Sequence, residues 1–212
     1  GVLFLDELPE FKRTVLEVLR QPMEEGRVSI SRAKFTVDYP ANFMLISSMN
    51  PCPCGYYNHP DKECVCSSGV VQKYLNKISG PLLDRIDIHI EVTPVDFEEL
   101  SSDQQAETSE RVRGRVVEAR NLQEVRFQQQ EGMYTNAQMA TKQVRNVCQI
   151  SQAGQNLLKS AMEKLSLSAR AYDRILKVAR TIADLSGSDD IAVEHLAEAI
   201  HFRSLDREDW AG

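Results

Sequence analysis

Two short apolar segments, each followed by polar side chains, constrain the fold of this chain more than any other feature. Val2–Leu5 leads directly into Asp6 and Glu7, and the apolar run 43–46 leads through two serines and a methionine to Asn50. Uninterrupted apolar runs of this length are typical of strands that are covered on both faces in a parallel sheet. Because the carboxyl ends of parallel strands meet at one edge, where open α/β sheets bind ligands, we expect Asp6, Glu7 and Asn50 to lie together there.

These three side chains suit phosphoryl transfer. One carboxylate can hold the hydration shell of Mg²⁺ while the next orients or deprotonates the attacking water. The amide of Asn50 can polarise water or contact a terminal phosphate. Acids also follow strands as ordinary turn or capping residues, and Asn50 precedes Pro51 as in a common Asx turn. The residues alone leave both interpretations open.

Further elements follow from periodicity. The spacing of apolar residues predicts one helix over residues 11–23, which contains Pro22 near its end. Alternation between Val28 and Val37 predicts a β-hairpin with a basic tip at Arg32 and Lys34. Alternation over residues 86–92 predicts a half-buried strand, and the absence of any cap or turn before Val2 predicts that the chain is part of a larger protein.

The composition changes at about residue 96. We expect a partial α/β core over residues 1–96, a charged, Gln-rich linker helix over 97–133 and a small helical domain over 134–212. Apolar residues at helical spacing predict three helices in that last domain, with Ser168 and Asp190 as N-caps and Gly187 as a stop. They are centred on residues 157–165, 171–182 and 193–200.

Four of the five cysteines form two C-x-C pairs that could enclose one metal ion. Cys52 and Cys54 are separated by a short loop from Cys64 and Cys66. Four thiolates this close suit a tetrahedral structural Zn²⁺, which would stiffen the loop, and His59 could replace one of them. The alternatives are four reduced thiols or disulfides formed on purification. The fifth cysteine, Cys148, is expected to pack as a small apolar side chain.

Charge and hydropathy exclude several classes of protein. The chain has 31 acidic residues against 25 lysines and arginines, a net charge of −6, so any contact with nucleic acid must be local. No apolar run reaches the length that spans a bilayer, so we expect no membrane partner. The cysteine pattern is unlike a secreted disulfide framework, and we expect a cytoplasmic protein.

The order of these elements resembles the AAA+ ATPases, and several longer motifs narrow the resemblance. The chain is similar over nearly its whole length to the magnesium-chelatase-like (ComM-related) family, whose members insert a hairpin before the sensor strand. The residues that carry the similarity are Asn50-Pro51-Cys52-Pro53-Cys54-Gly55, Ile78-Ser79-Gly80-Pro81-Leu82-Leu83-Asp84-Arg85 and Ser168-Ala169-Arg170-Ala171-Tyr172.

The resemblance implies a fold and a role for each motif residue. The fold would be the C-terminal half of an AAA+ parallel-sheet core, with a β-hairpin insertion, followed by an all-α lid domain. Asp6 and Glu7 would be the Walker B pair and Asn50 would be sensor 1. The roles implied for three arginines are those of the arginine finger at Arg85 and of nucleotide binding from sensor 2, at Arg170 with Arg174.

The resemblance also implies cofactors and partners. Members of the family are ATP- and Mg²⁺-dependent hexameric ring motors, and this branch acts on DNA through branch migration in recombination or transformation, with Arg32 and Lys34 as candidate DNA contacts. One alternative is the ATPase subunit of a chelatase that inserts Mg²⁺ into a tetrapyrrole through a partner protein. Another is a non-enzymatic, zinc-stabilised assembly module.

One motif of the family is not found in these 212 residues. The phosphate-binding loop G-x-x-x-x-G-K-[ST] cradles the phosphates and supplies a Mg²⁺ ligand. We therefore expect ATP hydrolysis by the full-length protein, an inactive chain when these residues stand alone, and a monomer in dilute solution.

Overall fold

The computed structural model describes residues 1–32, 35–95 and 107–203. The chain is a mixed α/β protein that divides into two compact units, one from Gly1 to Ile86 and one that begins at Asp87. The predicted boundary at residue 96 lies outside the described residues. None of the helices in the described ranges is long and apolar enough to cross a membrane.

The first unit contains a small parallel sheet and an antiparallel hairpin. Strand β1, Val2–Leu5, pairs in parallel with β4, Met44–Ser47, so that Leu5 lies opposite Ser47. Strands β2, Arg27–Arg32, and β3, Phe35–Pro40, form the hairpin. The two strands and the hairpin predicted from the sequence are therefore confirmed.

The prediction that both faces of β1 are covered is wrong for this chain. The side chains of Val2 and Phe4 are 62% and 59% exposed, and their partners Met44 and Ile46 are exposed beside them. The parallel sheet has two strands within the described residues, so no described element covers this face.

The predicted helix over residues 11–23 is two helices, α1, Arg13–Val18, and α2, Arg20–Glu25. Pro22 explains the break, because it has no N–H to donate to the carbonyl of Val18 and its ring crowds that carbonyl. Helix α2 ends at Gly26, whose φ of 64° lies in the left-handed region that favours glycine. A Cβ at this position would also press on Asn42 Oδ1, the end of a side chain that can move aside, so the positive φ is what favours glycine in the turn into β2.

Two helices that the sequence reasoning missed follow the cysteine-rich loop. They are α3, Ser68–Leu75, and α4, Gly80–Leu83, whose N-cap Ser79 accepts a hydrogen bond from Leu82 N. Leu82 and Ile78 join a core with Leu8 and Leu16, directly beyond the end of β1. Leu5, the last residue of β1, packs against this core, which therefore supports the carboxyl edge of the sheet.

The second unit is helical in its described part. The long helix α5, Ser109–Phe127, lies within the predicted linker segment. The three predicted helices are confirmed as α7, α8 and α9. With α6, which was not predicted, the bounds are Thr141–Val147 for α6, Gln152–Lys164 for α7, Ala169–Leu185 for α8 and Val193–His201 for α9.

The helix ends test three capping predictions. Ser168 caps α8, since its hydroxyl accepts from Ala171 N at 3.2 Å. Gly187 ends α8 with a φ of 69°, and its N–H donates to Asp184 O. The prediction of Asp190 as an N-cap is wrong, because α9 starts after Ala192, whose N–H is satisfied by His195 Nδ1 at 3.1 Å.

The predicted strand over residues 86–92 is also wrong, since this segment has no regular structure. Ile88 and Ile90 are exposed, and the hydrogen bond from His89 N to Phe202 O joins it to the end of a helix rather than to a strand. Alternation makes a segment compatible with a strand, but a strand also needs a hydrogen-bonding edge, and no described strand pairs with this one.

Candidate functional site

The parallel pairing of β1 and β4 brings Asp6 and Ser48 into direct contact. Ser48 Oγ donates a hydrogen bond to Asp6 Oδ1, and the same oxygen accepts from Glu7 N at 3.1 Å. The backbone continues this link, because Ser48 N donates to Leu5 O at 3.1 Å and Leu8 N donates to Ser48 O at 2.9 Å. One oxygen of Asp6 is thus fixed at the sheet edge, and the side chain as a whole remains exposed.

Glu7 has an unusual backbone conformation. Its φ of 51° and ψ of 53° place a non-glycine residue in the left-handed region. Such a conformation costs free energy, of order 1 kcal/mol or more, and persists only where the surroundings impose it. The hydrogen bonds of Glu7 N to Asp6 and of Glu10 N to Glu7 O, 2.8 Å long, impose it here. The exposed Glu7 carboxylate is consequently directed by a strained turn, a feature that the sequence did not reveal.

Asn50 follows β4 at the same edge of the sheet. Its side chain is exposed and makes no hydrogen bond with the described residues. The edge therefore presents two carboxylates and an amide to solvent, which are the oxygen ligands that suit a hydrated Mg²⁺. The oxygens fit a hydrated metal ion, and the NH₂ group of Asn50 is the donor at this edge that suits a phosphate.

Arg85 is turned into its own unit rather than outward. Its side chain is 5% exposed, donates to Pro81 O at 2.6 Å and forms an ion pair with Glu24 Oε2 of α2. A guanidinium in this position links α4 to α2. Nothing in the sequence indicated Glu24 as its partner, because the two residues are far apart along the chain.

The candidate nucleotide-binding arginines lie on α8 in the second unit. Arg170 is exposed in the first turn. Arg174 is half-buried and donates to Asp87 Oδ1. Lys177 donates to Ala137 O at 3.0 Å, and burial lowers the pKa of its amine. Arg174 and Lys177 therefore already have partners within the second unit.

The hairpin is exposed over most of its described length, and Val28 and Ser29 near its base are half-buried. Arg32 lies opposite Phe35 next to the tip, and Arg27 at the base forms ion pairs with Glu25 at 3.2 Å and Asp38 at 3.4 Å. The candidate DNA contact Lys34 lies outside the described residues. Arg32 is thus presented beside an exposed aromatic ring.

The four clustered cysteines converge on one point. The Sγ atoms of Cys52 and Cys54 are 3.4 Å apart, those of Cys52 and Cys64 are 3.7 Å apart, and all four Sγ atoms, including that of Cys66, lie within 4.8 Å of one another. A tetrahedral zinc–thiolate site has Sγ atoms about 3.8 Å apart, since each Zn–S bond is about 2.3 Å long. All four are free thiols rather than disulfides. The cluster fits a tetrahedral metal ion.

Neighbouring groups shift the pKa values of two cysteines of the cluster in opposite directions. The backbone N–H of Tyr56 lowers the pKa of Cys54 to about 6, which favours a thiolate. The backbone N–H of Cys66 acts in the same direction on Cys64, but burial and the adjacent thiols outweigh it and raise the pKa of Cys64 to about 12. Among the described residues the converging group consists of the four cysteines without His59, whose Nδ1 accepts from the backbone N–H groups of Asp61 and Lys62.

A buried polar network in the second unit was missed by the sequence reasoning. Asp184 of α8 has a fully buried side chain and accepts from Arg126, Arg180 and Asn136. Arg180 also donates to the carbonyls that follow α8, at Ser188 and Asp189. The i,i+4 spacing of Arg180 and Asp184 was the only signal in the sequence, and such pairs are common on exposed helices. Cys148 lies in the adjoining apolar core, as predicted.

Two family models match the chain in succession. The model described as magnesium chelatase, subunit ChlI, covers residues 1–100, and the model described as the ChlI C-terminal region covers residues 106–203. The chain therefore belongs to the magnesium-chelatase-like family.

Similar proteins of known sequence occur in several bacteria. The chain is 44% identical over 208 residues to the competence protein ComM of Haemophilus influenzae, and 41% identical over 208 residues to the uncharacterised protein YifB of Escherichia coli. It is 36% identical over 203 residues to an uncharacterised protein of Mycobacterium tuberculosis strain H37Rv. These alignments cover 96–98% of this chain and 40% of each relative, so the chain spans less than half of their length.

Proposed function

We propose that the full-length protein is an AAA+ ATPase whose ring hydrolyses ATP to move DNA. The observation that carries the proposal is the joint placement of Asp6, Glu7 and Asn50 at the carboxyl edge of the β1–β4 pair. In this proposal residues 1–96 belong to the AAA+ core and the helical domain from residue 134 serves as its lid. Family membership supports the ATPase, and the fold supports the position of its site.

Each residue at the edge has a separate task in the proposed reaction. Bound ATP with Mg²⁺ supplies the phosphoryl group and an electrophilic centre for attack. Asp6, one of whose oxygens accepts from Ser48, would hold the metal's water shell. Glu7 orients the attacking water and takes its proton, a role that suits a carboxylate directed by a rigid turn. Asn50 contacts the terminal phosphate.

Three arginines complete the proposed site in an assembled hexamer. Arg85 would act as the finger for a neighbouring subunit, which requires its guanidinium to exchange Glu24 for phosphate. Arg170 and Arg174 would couple the lid to the nucleotide, and for Arg174 this requires release of Asp87.

DNA is the proposed substrate because of the hairpin and because of one relative's name. Arg32 beside Phe35 combines a cation for the phosphate backbone with an aromatic face for a base, and Lys34 would add a second cation. A competence protein is named among the similar sequences. The net negative charge of the chain confines any such contact to a local surface of this kind.

The proposal predicts ATP hydrolysis that responds to DNA. Steady-state hydrolysis by the full-length protein should rise severalfold on addition of branched or single-stranded DNA, and Arg32→Ala should reduce the stimulation while leaving the basal rate unchanged. Arg27→Ala, at the base of the hairpin, is the matched control. Hydrolysis that ignores DNA and responds only to a porphyrin-binding partner would replace the DNA motor with a chelatase subunit. No hydrolysis at all would contradict both.

The four cysteines are proposed to hold a structural Zn²⁺. We expect about one zinc per chain by elemental analysis of protein purified without chelator, because four converging thiolates bind this ion tightly. Cys64→Ser should lower that content several-fold, whereas Cys148→Ala, a control for a cysteine outside the cluster, should leave it unchanged. Iron in place of zinc would correct the identity of the metal, and metal-free, folded protein would contradict the site.

A further inference from the structure

We propose that the metal-bound cysteine cluster positions Asn50, so that metal loading controls catalysis rather than nucleotide binding. The inference rests on the proposed function of Asn50, but its structural part concerns this chain alone. It starts from a property of Asn50 itself: the side chain is exposed and has no hydrogen bond to the described residues, so its position is set by its neighbours along the chain.

The chain before Asn50 is anchored to the sheet. Ser48 is held by both of its backbone groups, through Leu5 O at 3.1 Å and Leu8 N at 2.9 Å, and by its hydroxyl on Asp6. This anchor ends at Ser48. Within the part of the chain that the structure describes, neither Met49 nor Asn50 adds a backbone hydrogen bond beyond it.

The chain after Asn50 is anchored in the cysteine cluster. Cys52 is fully buried, and its Sγ lies 3.4 Å from that of Cys54 and 3.7 Å from that of Cys64. Pro51 alone separates Asn50 from this anchor. Packing against Val71 and Tyr74 holds Cys52 itself, but the close thiols have no strong attraction for one another, so the ion that joins them would hold the rest of the loop to this anchor.

Met49 connects the two anchors through packing. It lies against the apolar core of Leu8 and Leu82 under the sheet edge, and it also lies against the cluster that contains Cys52, Val71 and Tyr74. A shift of the cysteine loop therefore displaces a side chain that also supports the turn after β1. Met49, next to Asn50, therefore contacts both the cluster that contains the cysteines and the core beside the acidic edge of the sheet.

Loss of the metal should act on the chemical step. An amide that contacts the terminal phosphate contributes when it is placed accurately, and a displacement of about 1 Å can lower a rate by as much as about 100-fold. Binding of ATP relies on many other groups, so it should change little. The expected signature in the full-length protein is a fall in kcat of about tenfold or more, with the Kd for ATP within about twofold.

The structural part is tested on this chain by methyl NMR. With the methionine methyl groups labelled, removal of zinc by a chelator should shift and broaden the signal of Met49, and added zinc should restore it. Met139 and Met162, in the helical unit, are internal controls that should not move. Cys148→Ala should respond as the unchanged protein does. A Met49 signal indifferent to proven loss of zinc would overturn the inference.

The functional part uses two variants of the full-length protein. Cys64→Ser should lower kcat as metal removal does, and Met49→Ala should lower kcat while retaining its zinc, which separates positioning from collapse of the loop. Active protein whose kcat is the same with and without zinc would overturn the inference. Zinc-loaded protein with no hydrolysis would instead contradict the proposed function, and the Met49 signal would still decide the coupling.

Discussion

Glu7→Gln in the full-length protein is expected to lower kcat for ATP hydrolysis by about 100-fold or more, with ATP binding retained. A general base positioned on the attacking water contributes about 10²–10⁴ to a rate, and glutamine keeps the size of the side chain without its basicity. The backbone of Glu7 is held by Asp6, Ser48 and the turn that follows, so the substitution should leave the edge of the sheet in place. Single-turnover hydrolysis and nucleotide titration would measure the two effects separately.

Glu10→Gln is the matched control for this prediction. Glu10 is an exposed glutamate at the end of the same short helical turn, and its described contact is an ion pair with Lys77 at 3.7 Å. Its substitution should leave kcat within about twofold, because an exposed ion pair contributes little. If Glu7→Gln and Glu10→Gln behave alike, Glu7 is not the base.

Asp184→Asn is expected to destabilise the helical unit by about 3 kcal/mol at neutral pH. The substitution leaves the buried Arg180 and the half-buried Arg126 without the carboxylate that both contact, and breaking a buried ion pair in this way costs about 3–5 kcal/mol. Burial alone would raise the pKa of Asp184, but the hydrogen bonds from Arg126 and Asn136 outweigh it and hold that pKa below its usual value. Urea unfolding, with amide exchange in α8 as a local probe, would measure the loss.

The lowered pKa fixes the pH dependence of this effect. A carboxyl whose pKa is depressed on folding stabilises the folded state above its ordinary pKa and loses that contribution as the pH falls through the lowered value. The difference between the two proteins should therefore be largest near pH 7 and shrink below about pH 4. Asp189→Ala removes an exposed carboxylate close by, leaves the backbone carbonyl that Arg180 uses, and should cost less than about 0.5 kcal/mol. An equal loss in Asp189→Ala would contradict the assignment to the buried network.

Local sequence patterns correctly predicted those helices and strands whose positions depend on residues close together in the chain. The apolar runs before Asp6 and Asn50 are strands, and Ser168 and Gly187 delimit α8, because composition and capping act over a few neighbouring residues. One failure arose where a distant partner decides the outcome, and another where a single residue interrupts the pattern. The alternation over residues 86–92 found no strand to pair with, and one proline divided the helix that the periodicity had joined.

The candidate site follows the same rule. The cysteines converge as their spacing suggested, because four such residues in a short loop have few other arrangements. The burial of Arg85 against Glu24 and the contacts of Arg126 and Asn136 with Asp184 depend on elements distant in sequence, and no local signal points to them. The roles of Asp6, Glu7, Asn50 and the arginines remain predictions for the experiments above.

The turn at Gly26 connects Glu24, the partner of Arg85, to the base of the hairpin. Glu24, which holds Arg85, lies just before this glycine, and the hairpin begins just after it, with Ala41 N returning to Gly26 O at 2.7 Å to close its base. Six residues of extended chain make a lever about 20 Å long, so a tilt of about 10° at the base would carry its tip about 3.5 Å. If Arg85 released Glu24 near the end of α2 and the base of the hairpin tilted, the far end of the hairpin would move by this distance.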